Sequence, residues 1–133
     1  MLIKKEDIPK VSNMDMNIIH EVEVELVNKL YDALKENKLE DVEKLFEEFL
    51  KEVEDHFSEE EEMMIESGYW ARAMHKAEHD TMREKLNNLY ENWKNNKNTQ
   101  EVIDFLETEY APWLNLHISR WDSETAMHIG DSI

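Results

Sequence analysis

The 133-residue chain contains no cysteine. That excludes disulfides, thiolate metal sites and iron–sulfur clusters. It has only two glycines and two prolines, little material for hairpin turns. Positive charge is scarce: 15 basic residues face 32 acidic ones, a net charge of −17. So acidic a chain repels phosphate backbones and anionic lipid surfaces, which argues against nucleic-acid and membrane partners. The plain reading of the acid excess is solubility. No stretch approaches the roughly 18 consecutive apolar residues of a membrane span. Met1 to Lys10 alternates apolar and charged residues and has no apolar core of signal-peptide length. The expectation is a soluble, cytoplasmic protein.

What is present favours helices. Hydrophobic residues make up 41% of the chain, enough for one core, and Glu, Leu and Lys are good helix formers. Apolar residues recur at three- and four-residue spacing, the mark of one buried helix face. The first helix is predicted from about Asp15 to Glu36, through Ile19, Leu26, Val27, Leu30, Ala33 and Leu34, with Asn37 as its stop. The second spans about Leu39 to Ser67, with Val42, Leu45, Phe46, Phe49, Val53, Phe57 and Ile65 inward and Gly68 at its end. The third runs from about Trp70 to Lys94, before an Asn-rich turn. The fourth starts near Thr99, capped by Asn98 or Thr99 with Glu101 placed for a capping box. Pro112 should kink or split it before it ends near Trp121. Short connections between long helices imply antiparallel neighbours. The expected fold is therefore all-α, an up-down antiparallel four-helix bundle in a single domain over residues 1–133. An arm covers about 1–14, the bundle about 15–122 and a tail about 123–133.

Five of the six histidines fall into a pattern. His20 stands alone; His56 and Glu60, and His75 and His79, are four apart; His117 and Asp122 are five apart. Residues four apart share a helix face, so each of the first two pairs can bind one ion from one helix. Residues five apart lie about 140° around an α-helix, so Asp122 is expected to reach in from a flank or a loosened helix end. Each candidate lies on or beside an apolar stripe: Ile19 by His20, Val53 and Phe57 around His56, Met74 and Met82 around His75 and His79, Trp113, Leu114 and Leu116 before His117. Unpartnered imidazoles in a core would cost about 1–3 kcal/mol each; metal coordination removes that cost. Five imidazoles and two carboxylates without thiolate suit iron, zinc, copper or manganese. Seven ligands, two able to bridge, suit two adjacent octahedral ions with one position open. That count favours iron over a closed structural zinc site. The Glu-x-x-His pairs of ferritin-like di-iron bundles are absent, since Asn17, Val53, Arg72, Lys76, Leu114 and Thr125 stand three before the histidines. A zinc-protease H-E-x-x-H fails at Val24.

The ordered pattern His, His-x3-Glu, His-x3-His, His-x4-Asp resembles the hemerythrin family. His56-Phe57-Ser58-Glu59-Glu60 falls in its H-F-x-x-E-E stretch; Met63 or Met64 with Gly68-Tyr69 fits its M…G-Y; Trp113-Leu114-Asn115-Leu116-His117-Ile118 fits W-L-x-x-H-I. The resemblance covers about residues 15–122. It implies a non-haem di-iron centre in a four-helix bundle, with two iron ions bridged by an oxo or hydroxo group. His75, His79 and His117 would bind one iron; His20 and His56 would bind the other, which keeps an open position; Glu60 and Asp122 would bridge. Dioxygen or a related small ligand would bind at the open iron, in a dry apolar pocket with Trp113 and Leu114 in its lining.

Three features depart from the family. Asn17-Ile18-Ile19-His20 replaces its D-x-Q-H, an N-terminal Trp is missing, and Glu23 stands where the family usually has a pocket Leu. Glu23 lies on nearly the same helix face as His20. Turned outward it is solvated, like Glu21 and Glu25. Turned inward it is a pocket acid/base of raised pKa or an extra iron ligand. Either inward role would work against durable oxygen storage. His128 is expected to be solvated, and Tyr69, Tyr110 and the tryptophans to be core residues. Three functions follow: an oxygen carrier, store or sensor; a di-iron enzyme acting on peroxide, dioxygen or nitric oxide through Glu23; or a bundle merely stabilised by metal.

Overall fold

A computed structural model describes residues 1–130. α1 (Met14–Lys35) begins at Asn13, whose side chain accepts from the Met16 N–H at 3.0 Å. The same side chain donates to the Gly130 carbonyl at 2.7 Å, tying the start of the first helix to the end of the last. Asn37 ends the run in a left-handed conformation, φ 57°, which Asn tolerates better than most residues. α2 (Leu39–Ser67) stops at Gly68, φ 65°, where Tyr69 N–H reaches back to the Met64 carbonyl at 3.0 Å. That is a Schellman closure, and a side chain at Gly68 would strain it. α3 (Arg72–Asn96) follows. Asn98 caps the next helix by accepting from the Glu101 N–H at 3.1 Å. The reciprocal half of the expected capping box is not made; Asn98 N–H donates to Asn96 Oδ1 instead.

The fourth helical stretch, residues 99–129, corrects two expectations. It consists of α4 (Thr99–Phe105), a π turn (Leu106–Tyr110), α5 (Ala111–His117), a second π turn (Ile118–Asp122) and α6 (Ser123–Ile129). Pro112 does not split it. The first π turn, closed by Ala111 N–H on the Leu106 carbonyl, shifts the hydrogen-bond ladder just before the residue that cannot donate. Residues 123–129 are helix rather than tail, because Thr125 and Ala126 are buried. Positions 131–133 of the expected tail lie outside the described residues.

The helices pack in sequence order, and the fourth stretch closes back on α1 and α3. The result is the expected up-down bundle. One end is filled by Phe46, Phe49, Leu86, Trp93 and Leu106, all nearly fully buried. The N-terminal arm lies against this core through Leu2, Ile3, Ile8 and Val11. It is held there by two asparagines: Asn28 with Leu2 and Ile3, and Asn17 with Val11. Ile65, Met74 and Leu116, expected inward, are exposed. Successive residues lie about 100° apart on a helix, so turning Met64, His75 and His117 inward turns these neighbours out. Among the described residues no helix is long and apolar enough to cross a membrane.

Candidate metal centre

The other half of the bundle interior is polar. α1 supplies His20, α2 His56 and Glu60, α3 His75 and His79, α5 His117, and the second π turn Asp122. All seven are buried. They form two overlapping groups, each with its donor atoms within 4.8 Å of one another. One is Glu60, His75, His79, His117 and Asp122; the other is His20, His56, Glu60 and Asp122. The two carboxylates belong to both. The π turn explains why Asp122 meets His117. Its Ser123 N–H bonds to the Ile118 carbonyl, five residues back, so residues five apart stack as residues four apart do in an α-helix. Asp122 therefore points straight in, not from a flank or a frayed end.

The outer nitrogens of three histidines are fixed. His56 Nδ1 lies 2.7 Å from Glu23 Oε1, and His79 Nδ1 lies 2.8 Å from Glu61 Oε2. His75 Nδ1 lies 2.7 Å from Thr125 Oγ1, whose hydroxyl hydrogen is directed at the Met64 sulfur. Each acceptor places the proton on Nδ1. The Nε2 atoms then turn bare lone pairs inward. His75 and His79 Nε2 sit 3.3 and 3.2 Å from His117 Nε2, and His56 Nε2 sits 2.6 Å from Glu60 Oε2. When these rings are neutral, acceptors face acceptors. His20 Nε2 approaches Asp122 Oδ2 to 2.8 Å, yet neither atom makes a well-directed hydrogen bond; the same holds for Glu60 Oε1 and Asp122 Oδ1. Lone pairs that converge on common points without donors fit cations at those points.

Protons compete for the same positions. Burial lowers the His20 and His75 pKa, but the close Asp122 and Glu60 carboxylates outweigh it and raise both to about 9. Burial also opposes charge on His56, yet Glu60 and Glu23 hold it well above 6.5. His117 is lowered by burial. Burial raises Glu60 and Asp122, but the surrounding histidines hold both well below the ordinary carboxylate range. Aromatic rings wall the site: Phe57 stacks on His79 at 4.1 Å, and Trp113 on His117 at 4.4 Å. Leu114 is buried with Val24 and Ile118 beside a void of about 20 Å³ under the N-terminal arm.

Residues 16–129 match the family described as the hemerythrin HHE cation binding domain. The chain belongs to the hemerythrin family. It is 47% identical over 131 residues to a bacteriohemerythrin of Aquifex aeolicus, covering 98% of this chain and 100% of that protein. A bacteriohemerythrin of Clostridium acetobutylicum is 34% identical over 107 residues, covering 75% of this chain and 80% of that one. No solved structure matches.

This hemerythrin-family chain differs from its sequence expectation most at Glu23. The residue is buried, but it sits behind His56 with both oxygens engaged: Oε1 with His56 Nδ1, Oε2 accepting from Tyr110 O–H at 2.6 Å. Its pKa is not raised. Burial alone would raise it, but the His56 charge and the hydrogen bonds from His56 and Tyr110 bring it below the usual value. A free acid over an open metal position is therefore not what the fold builds. Three site residues were not singled out from the sequence. Tyr110 lies seven residues, two helical turns, before His117, a spacing that was readable. Thr125 lies in the segment that the sequence reads as a tail. Glu61 meets His79 only across two helices. His128 is exposed but not simply solvated: Nε2 lies 3.1 Å from the Ser67 carbonyl, and its ring packs on Tyr69 at 4.9 Å.

Proposed function

We propose that the whole chain is one domain that holds two iron ions and binds dioxygen, for delivery, storage or sensing. His75, His79 and His117 would hold one iron, His20 and His56 would hold the other, and Glu60 and Asp122 would serve both. One observation carries this reading: two donor groups share both carboxylates but differ by one ligand, five against four. Six-coordinate iron then has an open position on the two-histidine side. When bound in the reduced state, the iron pair would supply electrons to dioxygen. The chain's own part is to exclude water, fix the imidazole tautomers and wall the site with Phe57 and Trp113. Membership of a cation-binding family and the near-complete match to a bacteriohemerythrin support it.

The enzyme alternative relied on Glu23 as a pocket acid or extra ligand. With both oxygens bound to His56 and Tyr110, it has no free atom for either role, so the binding role is preferred. The structural-metal alternative offers no reason for unequal donor groups.

The test is a spectrum. Anaerobically reduced, iron-loaded protein exposed to air should develop a stable visible band that disappears on deoxygenation. Immediate conversion to the fully oxidised spectrum would favour turnover over binding. Failure to take up iron would remove both readings.

A further inference from the structure

Glu23 is the buried carboxylate that the proposed ligand set does not use. It joins His56 Nδ1 at 2.7 Å to Tyr110 O–H at 2.6 Å, and Phe49 packs edge-on against the Tyr110 ring at 5.1 Å. All four residues are buried. Among the described residues no lysine or arginine pairs with Glu23; its ion-pair partner is His56. Its charge therefore acts through one imidazole on the two-histidine position, in surroundings that screen it poorly.

We propose that Glu23, fixed by Tyr110, is a positioning residue for His56 that locks its Nδ1–H tautomer, aims Nε2 at the two-histidine iron and makes that iron easier to oxidise. This rests on the di-iron reading above. An anionic acceptor on Nδ1–H pushes electron density into the ring and strengthens Nε2 as a donor. Tyr110 works the other way. By donating to Oε2 it takes up part of the carboxylate charge, so it moderates the effect while fixing the geometry. Removing the Glu23 charge and removing the Tyr110 hydroxyl thus give opposite signs, which loosened packing would not do.

The experiment is a redox titration of the iron-loaded protein, with ¹⁵N NMR of His56 in zinc-loaded protein beside it. Glu23→Gln keeps the shape and an acceptor but removes the charge. The potential should rise, iron at the two-histidine position should weaken about 10–100-fold, and the His56 Nδ1 proton should move upfield. Tyr110→Phe should lower the potential and move that proton further downfield. Unchanged potentials, or shifts of the same sign in both variants, overturn the proposal. If Glu23→Gln does not fold, the sign of the Tyr110→Phe shift alone decides. A wild-type protein that takes up no iron overturns the di-iron reading and this inference together; two irons with no response to Glu23→Gln overturn the inference alone.

Discussion

The two sides of the centre use the same device with different electrostatics. On the two-histidine side, His56 leans on Glu23, which is sealed in the core and meets only a tyrosine beyond. On the three-histidine side, His79 leans on Glu61, which is 15% exposed and held at 2.8 Å by Arg83. Arg83 also pairs with Glu54 and Asp80 and lies over the Phe57 ring at 5.2 Å. The other hydrogen-bonded anchor there, Thr125 on His75, is neutral. One carboxylate keeps its charge; the other has it neutralised by a surface network. In the proposed centre a hydrogen bond to a ligand histidine thus sets geometry in both places, but only the uncompensated one would bias the metal strongly.

The comparison can be broken most sharply at the shared residues. Asp122→Ala takes an oxygen from both donor groups and should abolish binding of both irons. Loss of only one, by iron analysis, would show that the halves do not share it. His20→Ala should be gentler: one iron per chain retained, on the three-histidine side. Glu61→Gln sharpens the contrast with Glu23. Because Arg83 already neutralises Glu61, two irons should remain, with affinity falling no more than about tenfold, the low end for such partners. A loss as large as that from Glu23→Gln would contradict the asymmetry.

Protonation provides a fourth comparison, between metal-free and loaded protein. His20 and His75 have folded pKa values raised from 6.5 to about 9. The metal-free fold therefore keeps their full contribution below pH 6.5 and loses it as pH rises through about 9. His56 acts in the same direction, while the lowered His117 offsets part of it. Metal-free protein should lose thermal stability across pH 6.5–9. Iron needs the neutral rings, so loading should release protons and tighten over the same range. A metal-free melting temperature that rises with pH there would contradict the arrangement. The smallest expected effect is Thr125→Val, which leaves His75 Nδ1–H without an acceptor at about 1–3 kcal/mol, read by denaturant unfolding.

Much of this is legible in the amino-acid sequence alone. Four-residue spacing places His56 with Glu60 and His75 with His79 by helix geometry alone, and Asn37, Gly68 and Asn98 marked the helix ends. The misses have three causes: departures from α geometry, contacts between helices and a weakly apolar inward face. Asp122 needed the π turn at 118–122, which spacing read as 140° of misalignment. α6 was missed because its inward residues, Thr125 and Ala126, are not strongly apolar. Glu23 shares a face with His20, but only α2 and the first π turn bring His56 and Tyr110 to it.

The most direct measurement is an anaerobic titration of metal-free protein with ferrous iron, followed by Mössbauer spectroscopy. Two irons per chain should bind, with two distinct signals of equal area, one for each donor group. A single iron per chain, or two indistinguishable irons, would contradict a centre of two unequal sides sharing Glu60 and Asp122.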